Sequence, residues 1–549
     1  MTRPSLPRGS DALAALGACL LAALLISRRL LRPEVVSDDA LVHLYWLWNV
    51  RDPQLFDDPL TRELRESSRY PDGYEAVFHL AARIVDPIAF GEWVGVLLMA
   101  LSAWLVFLIV REQSDWRPAG WIGAALFLAL IDIHRFHGGF PRAFVHPVVL
   151  LCALLAVGVL MASALRWPLR AIAWRRAAFG AGAAALAAAC VLVPQLFDGP
   201  APEVFTAAGA RRFPEFGPNG TLHFFADSTL AYLRQNRSGF DLRYSGSLVL
   251  LAAVALLVAR PANLRLLRAE VLAMPAVALT AWAAAQAVLF RLYLPHRYTY
   301  PLVAFAVIVI GTTLRPTFAD ASRRRAVAIA AGLVAAAAFA VWVFPLAPVE
   351  APDRFGVLLL AAGAALLLAV AVRPAAGAVV AGALVLVLVL GAQGSLSRGN
   401  ACPAPPVTRH LAALPKDAIV AGDPEDLKCL PLTARRAVVI SGQLAPAYEI
   451  DYFLSGRSRM FADLAAVYGP SPRAIAALRT RYGATHLWIR RREVEAGGPR
   501  WRPRKLPYGR YVQRLRRAGP PASLRLPAAC RTFARGQDEV YDLACLAGS

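Results

Sequence analysis

Apolar runs of bilayer-crossing length recur along most of the chain, separated by short polar segments. Eleven stretches stand out: Leu13–Leu31, Trp93–Val110, Pro118–Ile131, Val148–Leu165, Ala177–Val193, Ser247–Ala259, Val271–Leu289, Tyr300–Leu314, Ala326–Phe344, Val357–Val372 and Ala375–Ala392. A hydrocarbon core about 30 Å thick needs roughly 20 apolar helical residues. Pro118–Ile131 and Ser247–Ala259 therefore need their flanks to cross. Leu13–Leu31 lacks a small-residue exit and is read as a retained span, not a cleaved signal. The pattern predicts a polytopic α-helical membrane protein with about 11 transmembrane helices.

Arginine sets the orientation. With the N-terminus inside, the inner loops hold Arg111 and Arg117; Arg166, Arg170, Arg175 and Arg176; Arg260, Arg265 and Arg268; Arg315, Arg323, Arg324 and Arg325; and Arg373. Short inner loops are basic as the positive-inside rule requires. Arg28, Arg29 and Arg32 depart from it at the outer end of the first span. An odd number of spans puts the C-terminus outside. The expected location is a bacterial inner membrane, with a cytoplasmic N-terminus and an extracytoplasmic C-terminal domain. Residues 1–395 form the membrane domain, with outer loops 33–92 and 196–246; residues 396–549 form the second domain.

In the first outer loop, Ala40–Trp48 is aromatic with helical spacing and Tyr74–Val85 is amphipathic. Both are expected to lie as helices on the membrane surface. In the tail, 417–422, 437–440 and 485–489 read as strands and 472–482 as a helix, so the domain is α/β. The arginine- and proline-rich segment 490–517 reads as a solvated loop.

Composition agrees. The 549 residues are 57% hydrophobic and 17% charged, where a soluble protein carries about 25% charged residues. The net charge of +22 would suggest nucleic acid in a soluble chain. Here much of it lies in topology-setting loops, so nucleic acid is not an expected partner. Abundant Ala, Leu, Val, Arg and Pro with little Lys fits a bacterium with a GC-rich genome. Cys402, Cys429, Cys530 and Cys545 fall in the outer domain, where an oxidising compartment lets them pair. Cys402–Cys429 with Cys530–Cys545 is the expected connectivity, because those partners are nearest in sequence.

Three groups of polar residues sit at outer membrane edges, where charge is costly and marks function. Asp38 and Asp39 follow the first span, with His43 one helical turn on. They suit a general base, or half of a metal site with Asp57 and Asp58; Ser37 or Asp38 capping the next helix is the bland alternative. His134, His137, Arg142 and His146 crowd a short outer loop, where Gly138-Gly139 and Pro141 allow an unusual backbone near a ligand. These cations suit a lipid phosphate, or headgroup contact by snorkelling. His296 and Arg297 lie between aromatics where the chain re-enters the membrane, and suit a phosphate leaving group. No P-loop, G-x-S-x-G, H-E-x-x-H or C-x-x-C motif occurs, which argues against ATP-driven transport.

Asp38-Asp39 after the first span, the outer loop with two helical stretches, His296-Arg297-Tyr298 at a later span and the tail segment 482–489 resemble the GT-C superfamily of membrane glycosyltransferases. That resemblance implies a polyprenyl-phosphate-linked sugar as donor and an envelope glycan, lipid or protein as acceptor, in contact with membrane lipids. It implies an inverting transfer with Asp38 or Asp39 as base. Arg142, His146, His296 and Arg297 would hold the donor phosphate, and His43, Asp57 and Asp58 would form a secondary or acceptor-side group. No nucleotide cofactor is expected, and a divalent metal stays open. The competing readings are a lipid or polysaccharide transporter or flippase, a surface-polysaccharide polymerase or ligase, and a non-catalytic scaffold. The spans carry little charge at their centres, which disfavours transport.

Overall fold

The computed structural model describes residues 9–27, 31–32, 35–37, 39–67, 70, 72–114, 116–131, 136–155, 202–234, 237–239, 253, 261–292, 294–318, 400–402, 406–445 and 448–548. The stretches Ala177–Val193, Ala326–Phe344, Val357–Val372 and Ala375–Ala392 lie outside them, as do Ser247–Ala259 apart from Ala253 and the second half of Val148–Leu165.

The N-terminal part runs α1 (Gly9–Ser27), β1 (Val35–Val36), α2 (Ala40–His43), α3 (Pro59–Ser67), α4 (Asp72–Ala82), α5 (Pro87–Gln113), α6 (Arg117–Leu130) and α7 (Pro141–Leu155). Helices α8 (Ala269–Ala287) and α9 (Pro301–Phe318) follow. Asp86 starts α5 by accepting the Ile88 and Ala89 amides at 2.8 and 3.3 Å, with Pro87 in the first turn. An N-cap of this kind stabilises a helix start by about 1 kcal/mol. Among the described residues, α5 is the one helix long and apolar enough to cross a membrane. It is also the hub, since α1, α6, α7 and α9 all pack on it.

The first outer loop departs from expectation. Ala40–Trp48 was expected as one surface helix, but α2 lasts four residues and a 3₁₀ segment, Tyr45–Val50, follows. Tyr45, Trp46, Leu47 and Trp48 are all buried. Aromatics on every side cannot present one face to lipid, so the segment becomes core; the Arg435 guanidinium lies 3.6 Å from the Trp48 ring centre. Helix α4 keeps the expected asymmetry. Phe78 and Ala82 point inward, while Val77, Leu80 and, just beyond, Ile84 and Val85 are exposed.

The tail adds β2 (Asn400–Ala401), β3 (Ile419–Gly422), β4 (Ala437–Val438), α10 (Ile450–Tyr468), α11 (Pro472–Tyr482), β5 (His486–Arg490), α12 (Tyr508–Ala518), β6 (Arg531–Arg535) and β7 (Asp538–Asp542). Five strands form one sheet in the order β4-β3-β5-β7-β6. The first three are parallel and the β6–β7 hairpin is antiparallel. The predicted strands and helix are present, and the tail is α/β. Segment 490–517 is a loop only in its middle: Arg491–Glu495 and α12 are helical, and turns join them. Tyr508 and Val512 of α12 are buried with Trp501, and the arginines occupy the helix's outer face. Hydrophobic residues at helical spacing decide that segment, and arginine is a good helix former.

Both expected disulfides are present, Cys402–Cys429 at 2.01 Å and Cys530–Cys545 at 1.94 Å. Outer loops and tail share one core. β1 pairs with β2, and Val204 bridges Glu449. Phe205, Phe216 and Phe453 meet with centroids 5.2–5.4 Å apart. Each such ring pair contributes about 1 kcal/mol beyond area burial. The Arg459–Glu63 ion pair at 2.9 Å adds to this junction, but Glu63 is 36% exposed, so packing dominates.

Candidate active site

The site begins at α2. Ser37 caps the helix, its hydroxyl accepting the Ala40 amide at 3.0 Å. Asp39 makes no side-chain cap bond. Its carboxylate instead forms an ion pair with Arg142, the second residue of α7. Asp38 lies outside the described residues. His43 shares a face with Asp39, and its Nδ1 is bonded to the Tyr70 hydroxyl. The aromatic walls are Tyr70, Tyr74, Phe140 and Phe144, with Phe140 edge-on to His43 at 5.7 Å and Tyr74 edge-on to Phe144 at 6.4 Å.

Charge in this pocket is unevenly shared. Burial opposes the charged form of Asp39, but the guanidiniums of Arg142 and Arg297, with the nearby His43, outweigh it and hold the carboxyl below its usual range. His43 is pushed down to about 4, mainly by burial, with attraction to Asp39 only partly offsetting that and Arg297 and Arg142 adding to it. Burial and the Asp39 charge push the Tyr74 hydroxyl up. At neutral pH the site is one carboxylate, a neutral imidazole and two guanidiniums.

A pH prediction follows from His43. Its folded pKa lies below its ordinary 6.5, so the unfolded chain takes up this proton first as pH falls. The contribution is complete above pH 6.5 and is lost as pH drops towards 4. That loss is up to about 3 kcal/mol before discounting for partial exposure. Asp39 acts in the same direction at lower pH. Thermal melts from pH 7.5 to 4 should show Tm falling, with His43→Gln flattening the fall; an unchanged profile in the variant refutes this role.

Arg142 is held by a device that sequence reading missed. Glu92, near the start of α5, meets His137 Nε2 at 2.7 Å and accepts the Gly138 amide at 3.3 Å. Gly138 and Gly139 have φ of +85° and +61°. A side chain on Gly91 would meet the Gly138 carbonyl 2.5 Å from its Cβ. The paired glycines therefore let the loop seat against α5 and do not open space for a ligand. This seat fixes where α7 begins and so where Arg142 points. The available signal was a carboxylate immediately before the apolar run Trp93–Val110.

The two other basic groups converge through stacking. His146 stacks on Tyr300 at 5.7 Å with 6° between the rings. Tyr300 meets His296 Nε2 at 3.0 Å, and His296 Nδ1 meets the Arg237 carbonyl at 3.1 Å. His146 and His296 are buried, and both His296 nitrogens are engaged. Through Tyr300 they pack against the segment that carries Arg297. Of the predicted phosphate ligands, Arg142 and Arg297 are the two whose charge acts on Asp39.

Asp57 and Asp58 stand elsewhere. Asp58 is buried at the start of α3, accepting the Thr61 amide at 3.0 Å and the Thr61 hydroxyl at 2.5 Å. Asp57 is exposed and pairs with Arg62 at 3.1 Å. In this structure Asp58 caps α3 and Asp57 is half of a surface ion pair. Among the described residues, no three His, Cys, Asp or Glu side chains gather as a metal site would. Beside the site, a cavity of about 360 Å³ lies between α3 and α4, lined by Trp46, Arg62, Arg65, Tyr70, Glu75 and His79 among others. Tyr70 is the wall shared between this cavity and His43.

Two solved structures are similar to this chain. One is ArnT from Cupriavidus metallidurans bound to undecaprenyl phosphate, at 14% identity, covering 98% of each chain with a TM-score of 0.49. The other is the same protein in the apo state, at 14% identity and a TM-score of 0.48, covering 89% of this chain and 95% of that one. No family model and no curated protein matches. A likeness this distant carries no argument about activity, which rests on the chain's own side chains.

Proposed function

We propose that the chain is an integral membrane glycosyltransferase that moves a sugar from a polyprenyl-phosphate donor to an acceptor hydroxyl, with inversion. The carrying observation is Asp39, a carboxylate flanked by Arg142 and influenced by Arg297, within aromatic walls beside the apolar helices. An acceptor hydroxyl is a weak nucleophile and needs a base. A lipid phosphate leaves as an anion and needs positive charge. The site supplies both, and a membrane-held donor would not have to be extracted.

Asp39 takes the hydroxyl proton as the acceptor oxygen bonds to the anomeric carbon. The bond from that carbon to the phosphate oxygen breaks, and its electron pair leaves with the polyprenyl phosphate. A single displacement inverts the centre. In the ligand-free site Arg142 is tied to Asp39, which depresses the carboxyl and makes it a poor base. The donor phosphate competes for that guanidinium. Once Arg142 turns to phosphate, Asp39 loses a cation and becomes a stronger base. The cavity behind Tyr70 is the acceptor side, its aromatic and charged lining suited to a sugar or polar headgroup. The N-terminus is cytoplasmic and the tail extracytoplasmic in this reading.

The test is binding of a polyprenyl phosphate against the matching polyprenol to purified protein in nanodiscs. The phosphate should bind at least tenfold tighter, and Arg142→Ala should remove most of that difference. Equal binding of alcohol and phosphate rejects the proposal.

A further inference from the structure

On the tail, far along the sequence from Asp39, α12 forms one wall of an open groove of about 520 Å³. Arg510, Arg514 and Arg517 line it, with Pro214, Pro503 and Pro507 among the other lining residues. The arginines recur at i, i+4 and i+7, so they form one stripe spanning about 10 Å along the helix. The lining includes no carboxylate. All three arginines are exposed and none makes an ion pair among the described residues. Four arginines elsewhere on the tail are neutralised by carboxylates: Arg490 and Arg500 pair with Asp426, and Arg491 and Arg531 with Glu539.

The second outer loop contributes Pro214 to the lining and is tied to the tail beside it. Leu506 donates its amide to the Asn219 carbonyl at 2.8 Å, and the Thr221 amide returns to Leu506 at 3.2 Å. On its inner side α12 is anchored by buried Tyr508 and Val512. The groove is thus an anchored channel with the arginine stripe on α12 and Pro214, Pro503, Leu506 and Pro507 around it. Prolines need no ordering on binding and offer flat apolar contact.

We propose that this groove binds a linear polyanion, a polymer bearing repeated phosphate or carboxylate groups. A row of guanidiniums recognises successive oxyanions along an extended chain. A bilayer surface fits less well. Helix α4 displays what a lipid-facing surface looks like here, with Val77, Leu80 and Ile84 exposed, whereas the tail's one exposed large apolar residue among those described is Leu454, on a different helix. Attraction without apolar insertion suits a polymer lying in a channel. The inference does not depend on the transfer reaction.

The experiment measures binding of inorganic polyphosphate to the full-length, detergent-solubilised protein across a salt series. Arg510→Ala, Arg514→Ala and Arg517→Ala together should weaken binding at least tenfold. The slope of log affinity against log salt should fall by roughly 2, as three released contacts require. A control with the same loss of charge, Arg473→Ala, Arg479→Ala and Arg481→Ala on α11, should change binding less than twofold. Both triple variants must keep the wild-type Tm, as exposed helical arginines replaced by alanine should. Equal weakening in the two variants would mean attraction to net charge and overturns the proposal, as does no weakening in either. Displacement of polyphosphate by soluble dihexanoylphosphatidylglycerol at comparable phosphate concentration would assign the groove to lipid headgroups and also overturns it.

Discussion

Asp39→Asn is expected to lower the turnover of sugar transfer by about 10²–10⁴-fold, the contribution of a positioned general base. The amide keeps the shape and removes the proton acceptor. Donor affinity should not suffer. In the wild-type site Asp39 holds Arg142, so a donor phosphate must displace a carboxylate to reach that guanidinium. With asparagine the competitor is gone, and KM for donor should stay level or fall. Loss of kcat with unchanged or lower KM separates a base from a structural acid. Steady-state kinetics with a polyprenyl-phosphate sugar checks it, and kcat within threefold of wild type would remove Asp39 from the chemistry.

The complementary substitutions act on the leaving group. Arg142→Ala and Arg297→Ala should each cost about 10²–10³-fold in kcat/KM, the loss typical when a preorganised charge partner of a developing anion is removed. Lysine at either position should restore part of the activity. It supplies charge but not the planar fork that grips two oxyanion oxygens. Stability should move much less. The Arg142 and Asp39 side chains are 19% and 27% exposed, so solvent screens their attraction and losing it costs about 1 kcal/mol, not the several of a fully buried pair. Kinetics and thermal melts on the same preparations separate the two. A Tm loss that accounts for all the lost activity, or full activity in both alanine variants, defeats the assignment.

The candidate residues were legible because charge at the end of an apolar run is conspicuous. Asp39, Arg142 and Arg297 are separated by 103 and 155 residues, yet each stood out as polar at the end of an apolar run. The cysteine pairing was legible because short loops close most easily. The Asp39–Arg142 ion pair was not legible, since nothing local says which cation faces which acid. For Asp57 and Asp58 the sequence left a ligand role and a turn role both open. A turn acid before a helix and a ligand acid share one sequence appearance, and the Thr61 amide and hydroxyl decide between them.

Periodicity alone determined that α5 is a long apolar helix, that α4 has an apolar outer face, and that the tail is α/β. Those features depend on neighbours three, four or two residues away, which any window of sequence contains. Tertiary structure decided the rest. The aromatic run 45–48 reads as a surface helix by spacing, but Phe56, Thr61 and His79 from the same loop and Arg435 from the tail close over it and pack it as core. The glycine pair 138–139 reads as a ligand loop, but the Glu92–His137 contact and Gly91 turn it into the seat that aims Arg142. The arginines of α12 read as solvated coil until Tyr508 and Val512 find a core to enter. In each case the deciding partner lies far away in sequence, so its burial and charge act on the segment only once the chain has folded.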